Sequence, residues 1–276
     1  MLWSELVGAL KAGNFCALRL ALDAPNKVRT YISDCLRRYD ELAEVGLPHR
    51  FPVRYVCEQG WGTTDPDERI VLPSRLGGGG GTHLQELASL AVVTGVLKPK
   101  KVFEIGTFTG LTTCIFVFNA PPGATIITLD LPPDSPLENV RDSNYLPSDV
   151  QLVQEREAGR FIREFGLQDR CQQIYCDSLQ FDHSPHRRSV ELGFIDGAHD
   201  LLHVRNDTRK MAEMMADRGL VFWHDYGGKG GFRPLANYLE ILAKRIPVFR
   251  IIGSSLAWAS GADLRSLFET PGSEIL

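Results

Sequence analysis

Residues 102–113 read Val-Phe-Glu-Ile-Gly-Thr-Phe-Thr-Gly-Leu-Thr-Thr. An apolar pair leads into an acid, Glu104, then into two glycines, Gly106 and Gly110, then into a segment able to start a helix. A strand ending in such a turn lets bare backbone approach a ligand, because glycine has no Cβ to hold it away. Nucleotide-type cofactors bind at the carboxyl ends of parallel strands, so this is a candidate cofactor loop. Glu104 is placed to meet a positive or hydrogen-bond-donating group. Phe108 stands where the dinucleotide pattern G-x-G-x-x-G has its second glycine, which disfavours a pyrophosphate. No lysine follows Gly110, so the phosphate loop G-x-x-x-x-G-K-[ST] is not met either. The bland alternative is an ordinary strand–turn–helix whose glycines serve only the turn.

The stretch Glu104-Ile-Gly106-Thr107-Phe108-Thr-Gly110 resembles the first motif of class I S-adenosylmethionine-dependent methyltransferases, in the variant found in small-molecule O-methyltransferases. The resemblance implies that Glu104, Gly106, Thr107, Phe108 and Gly110 lie against the methionine part of S-adenosylmethionine, which carries no phosphate.

Positioning such a loop requires a parallel sheet. After residue 82, short apolar runs alternate with longer amphipathic stretches, the pattern of βα units. Strands are expected at 101–105, 125–130, 172–176, 191–196 and 219–224, followed by a pair at 247–252 and 255–259 around a Gly253-Ser254 turn. The expected fold is α/β: a Rossmann-like, doubly wound, seven-stranded and mostly parallel sheet with a terminal antiparallel hairpin. That is also the element order of the methyltransferase sheet. Thr82-His83-Leu84-Gln85 reads as a capping box before an apolar stretch through Leu97. Asp200 is placed to cap a helix carrying Leu201, Val204, Met211 and Met215 on one face, with Gly219 as its stop. Residues 1–81 form an extension to a domain at 82–276. In it, Leu6, Leu10, Val28, Ile32 and Leu36 follow helical spacing, and 51–56 and 70–73 read as extended. Gly77–Gly81 is a hinge for a lid or a plain connector. Residues 132–150 read as a loop insertion. Trp61 could stack on a cofactor or acceptor ring or be structural, and Trp223 reads as core.

With the strands placed, polar residues collect at their ends. Asp130 closes the second strand, where an acid can accept hydrogen bonds from both ribose hydroxyls; a dinucleotide would use it equally. Asp177-Ser178 closes the third, where the resemblance implies a contact to the adenine amino group; an Asp there is otherwise a turn former. Gly193-Phe-Ile-Asp196-Gly-Ala-His199-Asp200 and Val221-Phe-Trp-His224-Asp225-Tyr226 end the fourth and fifth strands, so Asp196, His199, His224 and Asp225 are expected to converge on one crevice.

This arrangement resembles the bacterial family of macrocin-type O-methyltransferases and cephalosporin-hydroxylase-like proteins, and more distantly the catechol and caffeoyl-CoA O-methyltransferases, over about residues 80–260. The resemblance implies that Asp196 contacts the cofactor and that Asp196, Asp225 and His224 hold a divalent cation, Mg²⁺ or Mn²⁺. His224 departs from the Asp or Glu usual at its position; one imidazole shifts preference towards softer ions, and a supporting or basic role is the alternative. It also places His199 as general base. A neutral hydroxyl is a poor nucleophile, and an imidazole with an ordinary pKa near 6.5 can take its proton at neutral pH. Otherwise His199 only bonds a neighbouring loop.

The whole chain is compatible with this. Its 276 residues, 43% hydrophobic and 23% charged, suit one large α/β domain plus an extension. A net charge of −4 gives no reason to expect nucleic acid or an anionic membrane. No run approaches the roughly 18 apolar residues of a membrane span, and the Met-Leu-Trp-Ser-Glu-Leu start lacks a signal-peptide pattern. The six cysteines, at 16, 35, 57, 114, 171 and 176, include no C-x-x-C pair, so a reducing cytoplasm is the simplest reading. The partner expected is a small-molecule acceptor, and the N-terminal helices could pair two chains as a homodimer. The competing functions are an NAD(P)-dependent oxidoreductase and a non-catalytic cofactor-binding module.

Overall fold

The computed structural model describes residues 47–62, 69–73, 82–132, 135, 149, 157–227 and 232–269. The helical pattern of the first forty residues, the Gly77–Gly81 run and most of the 132–150 insertion lie outside these. In chain order the described elements are α1 (Pro52–Glu58), α2 (Leu84–Leu97), β1 (Lys101–Ile105), α3 (Leu111–Asn119), β2 (Thr125–Asp130), α4 (Arg160–Glu164) and β3 (Gln172–Tyr175). They continue with a 3₁₀ turn (Ser184–His186), β4 (Val190–Ile195), α5 (Leu201–Met214), β5 (Met215–Trp223), α6 (Arg233–Leu242), β6 (Val248–Arg250), β7 (Ala257–Ser260) and α7 (Gly261–Glu269).

The strands form one seven-stranded sheet in the order β3-β2-β1-β4-β5-β7-β6. Pairings from β3 to β5 are parallel, and β7 runs antiparallel to both β5 and β6. This is the expected mostly parallel sheet with its terminal hairpin. Alternate strand residues feed two cores, as strand geometry requires when both faces are covered. Val102, Ile126, Leu192, Phe194, Leu220 and Phe222 pack under α2 and α3. Phe103, Ile127, Leu129, Val221 and Trp223 pack under α5, α6 and α7. Trp223 is fully buried and donates its indole N–H to Thr208 Oγ1, so it is core, as its sequence position indicated.

Several local expectations shift. Residues 52–58 are helical rather than extended, with Pro52 in the first turn and Val56 wholly buried. A proline at a helix start is preorganised for it, and burial of one face outweighs the β preference of the valines. Trp61 packs edge-on to Tyr55, and its carbonyl shares Arg218 Nη2 with that of Leu97. Leu97 ends α2 at the amino-terminal side of the strands, so Trp61 is a structural residue distant from the strand tails. α2 is capped at His83, one residue later than expected: Glu86 Oε2 accepts the His83 N–H at 2.8 Å. Asp200 caps α5 as expected, accepting from the Leu202 and His203 amides. Gly219 does not stop that helix. The chain leaves α5 at Met215 directly into β5, so Met215 and Gly219 are both strand residues. Leu201, expected on the buried face, is exposed. Among the described residues no helix is long and apolar enough to cross a membrane, and Cys57, Cys114, Cys171 and Cys176 are free thiols.

One close approach governs the centre of the sheet. Gly106 has φ of +99°, and a Cβ built on it would stand 2.0 Å from the Asp196 carbonyl oxygen. Gly123 also has positive φ (+84°) but opens onto free space. Gly123→Ala is therefore expected to cost about 1–2 kcal/mol, the left-handed penalty alone. Gly106→Ala should cost more than about 3 kcal/mol, because the β1 and β4 tails must separate. Urea unfolding of the two variants reads the difference, and equal costs would show that the contact is no constraint.

Candidate active site

The parallel register aligns the strand tails. Ile105 pairs with Leu129 on one side and Ile195 on the other, and Ile195 pairs with Trp223. The next residue of each strand, Gly106, Asp130, Asp196 and His224, therefore lies in one row along the carboxyl edge of the sheet. Hydrogen bonds carry the ladder past the strand ends: Gly106 N to Leu129 O (2.8 Å), Asp196 N to Ile105 O (2.8 Å) and His224 N to Ile195 O (3.0 Å).

The glycine loop occupies one half of this edge. Gly110 is the left-handed N-cap of α3. Phe108 is also left-handed, with φ of 45°, and its N–H is held by Asp130 Oδ2 at 2.8 Å. Thr107 Oγ1 meets Thr128 Oγ1 at 2.6 Å. Residues 159–161 close over the turn, with the Gly159 and Phe161 amides donating to the Phe108 and Thr109 carbonyls. Glu104 is completely buried beneath. Burial pushes its carboxyl up to about 8 against the pull of the Thr113 and Thr128 hydroxyls, with Asp196 and Asp130 adding to the rise. Asp177 lies beyond β3 and organises a turn, its Oδ1 accepting the Leu179 amide. Ser178 presents its carbonyl to Asn206 and Lys210 on α5.

The other half is a chain of alternating carboxylates and imidazoles. Glu86, at the start of α2, faces His224 Nε2 at 3.1 Å and binds both the amide and hydroxyl of Ser255 at 2.7 Å. His224 Nδ1 lies 3.1 Å from Asp196 Oδ1 and 3.2 Å from Asp225 Oδ2. Asp225 Oδ2 also meets His199 Nε2 at 3.0 Å. Asp149 completes the chain by clamping His199 twice, at its ring Nδ1 (2.8 Å) and its backbone N–H (2.9 Å). Phe232 stacks on the His199 ring, with centroids 3.7 Å apart and planes 15° from parallel. Asp225 sits at φ of 60°, a conformation that Asp tolerates better than most residues and that recurs at functional sites.

Charge in so dry a place moves the pKa of both imidazoles and of the two aspartates between them. Burial alone would depress His224, but Asp196, Asp225 and Glu86 hold it well above its ordinary value. Burial would likewise depress His199, and Asp149 and Asp225 overcome it, raising it to about 10. Burial raises Asp196. Asp225 is carried well below the usual carboxylate range, against its burial, by His224 and His199. In this state His199 is an imidazolium donating from both nitrogens.

All four residues expected to converge do so. Ligand atoms of Asp196, His199 and Asp225 lie within 4.8 Å of one another, a spacing at which all three could reach one ion. His224, expected among the ligands, instead has Nε2 engaged by Glu86, and only its Nδ1 faces the two aspartates. Two carboxylates and one imidazole are a donor set that fits a divalent cation. Three residues of the cluster, Glu86, Asp149 and Phe232, are not marked as site residues by motif or strand position. Glu86 had a local signal, an acid three residues after a helix cap. Asp149 and Phe232 had none, because their link to His199 exists only in three dimensions.

Glu104 allows a test free of any ligand. Its folded pKa of about 8 lies above the ordinary 4.5, so the folded chain retains a proton that the unfolded chain releases. Stability should fall as pH rises across that window, by up to about 1.4 kcal/mol per pH unit. Glu104→Gln is expected to lessen this slope in urea unfolding from pH 5 to 8, leaving the part that the raised His199 and His224 contribute above their ordinary pKa, and an unchanged slope would mean that Glu104 does not titrate there.

The sheet order, with its antiparallel seventh strand, is that of the class I S-adenosylmethionine-dependent methyltransferase fold. Residues 103–226 match the family model described as a methyltransferase domain. Among solved structures the chain is similar to the Podospora anserina methyltransferase PaMTH1, solved with SAH, at 15% identity and a TM-score of 0.47, covering 64% of this chain and 78% of that one. It is similar also to cofactor-bound Rv0187 from MTB, at 15% identity and a TM-score of 0.47, covering 69% and 84%. No curated protein matches it at a significant level. Every candidate site residue expected from the sequence, from Glu104 to Asp225, lies inside the segment that matches the methyltransferase-domain model.

Proposed function

We propose that this chain is an S-adenosylmethionine-dependent methyltransferase acting on a hydroxyl oxygen of a small molecule, assisted by a divalent cation. The observation that carries the reading is the shared strand edge. The glycine loop and the Asp196–His199–Asp225 cluster stand side by side, joined where Gly106 meets the Asp196 carbonyl. The family match over residues 103–226 supports the donor. Bare backbone at Gly106 and Gly110, with Glu104, Thr107, Phe108, Asp130, Asp177, Ser178 and Asp196 around it, would hold the cofactor. Bound there, S-adenosylmethionine would supply a methyl group on a sulfonium.

Asp196 and Asp225 would hold the cation, which would offset their charge and lower the pKa of a coordinated hydroxyl. Asp149 fixes the His199 ring by binding Nδ1, so Nε2 is the nitrogen that faces the site. His199 would first release the Nε2 proton that Asp225 holds in this state; neutral there, it would take the acceptor's proton, and orientation would contribute much of the rate. Phe232, stacked on the ring, excludes water from one of its faces. His224, held by Glu86, keeps the two aspartates in place. A second reading has His199 as a third ligand, favoured by its place in the 4.8 Å cluster.

Titration calorimetry with S-adenosylhomocysteine and with NADH tests the donor. Binding of the first and not the second is expected, and the reverse overturns the proposal in favour of an oxidoreductase. Transfer of labelled methyl from S-adenosylmethionine to a panel of hydroxyl-bearing small molecules then tests catalysis against a binding-only role. Asp225→Asn should weaken Mn²⁺ binding at least about tenfold. His199→Ala should lower turnover by about 10²–10⁴ while leaving Mn²⁺ affinity within twofold. A comparable loss of Mn²⁺ affinity in His199→Ala would make it a ligand instead.

A further inference from the structure

Helix α5 buries an unusual face. Asp200, His203, Asp207 and Lys210 follow helical spacing, so they share one side. His203 and Asp207 are almost wholly buried, and Lys210 is half-buried. A helix of this length would ordinarily present apolar residues there, because burying charge costs free energy unless each group is paired. Here the partners are loops at the carboxyl edge of the sheet. Lys210 Nζ donates to three successive acceptors on the turn after β3: the carbonyls of Ser178 (2.6 Å), Leu179 (3.0 Å) and Phe181 (2.9 Å). An ammonium has three protons, so this turn uses all of them. Asn206 Nδ2 adds a bond to Ser178 O at 3.0 Å and another to Asp207 Oδ1 at 2.8 Å. Asp207 Oδ2 stands 3.2 Å from the Cβ position of Gly197, between Asp196 and His199. From inside the turn, Asp177 Oδ1 holds the Leu179 amide.

We propose that Lys210 and Asn206 are positioning residues for the nucleoside half of the cofactor, locking the Asp177–Phe181 turn into the shape that receives the base. The inference rests on the methyltransferase reading given above. None of the groups involved contacts the reacting atoms. Their effect is transmitted through the turn's backbone, whose carbonyls would otherwise face a helix with nothing to donate. Positioning of this kind alters affinity for the part of the ligand that the turn touches and leaves the rest unchanged.

The test is calorimetry on the full chain with S-adenosylhomocysteine and with adenosine, alongside urea unfolding without ligand. Lys210→Met is expected to weaken both ligands by the same factor, about tenfold, and Lys210→Arg to restore affinity to within about threefold of wild type. Asn206→Ala, a milder change should Lys210→Met fold poorly, is expected to weaken both about threefold. If Lys210→Met lowers only the unfolding midpoint, or if S-adenosylhomocysteine loses far more affinity than adenosine, the residue is merely structural and the inference is overturned. A wild-type chain that fails to bind S-adenosylhomocysteine would overturn the methyltransferase reading itself.

Discussion

The site depends on keeping four carboxylates and two imidazoles together with little water. Glu86, Asp196, Asp225 and Asp149 would repel one another strongly if left adjacent in a dry interior. The structure separates them with His224 and His199, so that like charges alternate with unlike ones along a continuous chain. Such a chain also pins its members: each ring has both nitrogens facing an acid, which sets its rotation. The pinned rings give the crevice a defined direction.

That chain ties together parts of the molecule distant in sequence. Glu86 sits at the first turn of α2, where it also closes the helix cap and holds the Ser255 amide and hydroxyl in the connection between β6 and β7. Asp149 comes from the insertion after β2 and grips the residue that the proposed chemistry needs most. Phe232, just before α6, covers the same ring. The strand tails supply the reactive groups, and the surrounding helices and loops supply their orientation. This division suits open α/β sheets, where ligands bind beyond the carboxyl ends of the strands.

The sheet was legible because its signal is local and repeated. β1 and β2 match the expected spans, and the remaining strands differ by no more than four residues at either end. Buried strands read as short apolar runs between turn residues, whichever neighbours they pair with. The errors fell where tertiary contacts overrule local preference. Valines at 53 and 56 suggest extension, yet Pro52 and the packing of Val56 make a helix. Gly219 reads as a helix stop, but β5 has already begun four residues earlier. Asp196, His199, His224 and Asp225 could be paired from strand order alone, because neighbouring parallel strands must bring their tails together.

Residue types and spacing by themselves determined which residues would stand at the sheet edge: a glycine turn at 106–110, acids at 130 and 196, imidazoles at 199 and 224. Those follow from strand periodicity and from the rule that parallel strands end on one side. Only the tertiary structure decided what each group touches. It turned His224 towards Glu86, moved His199 into the donor cluster, and brought Asp149 across fifty residues to hold it. Contacts of that kind arise from packing between remote segments, and nothing in the local spacing of Asp149 or Phe232 encodes them.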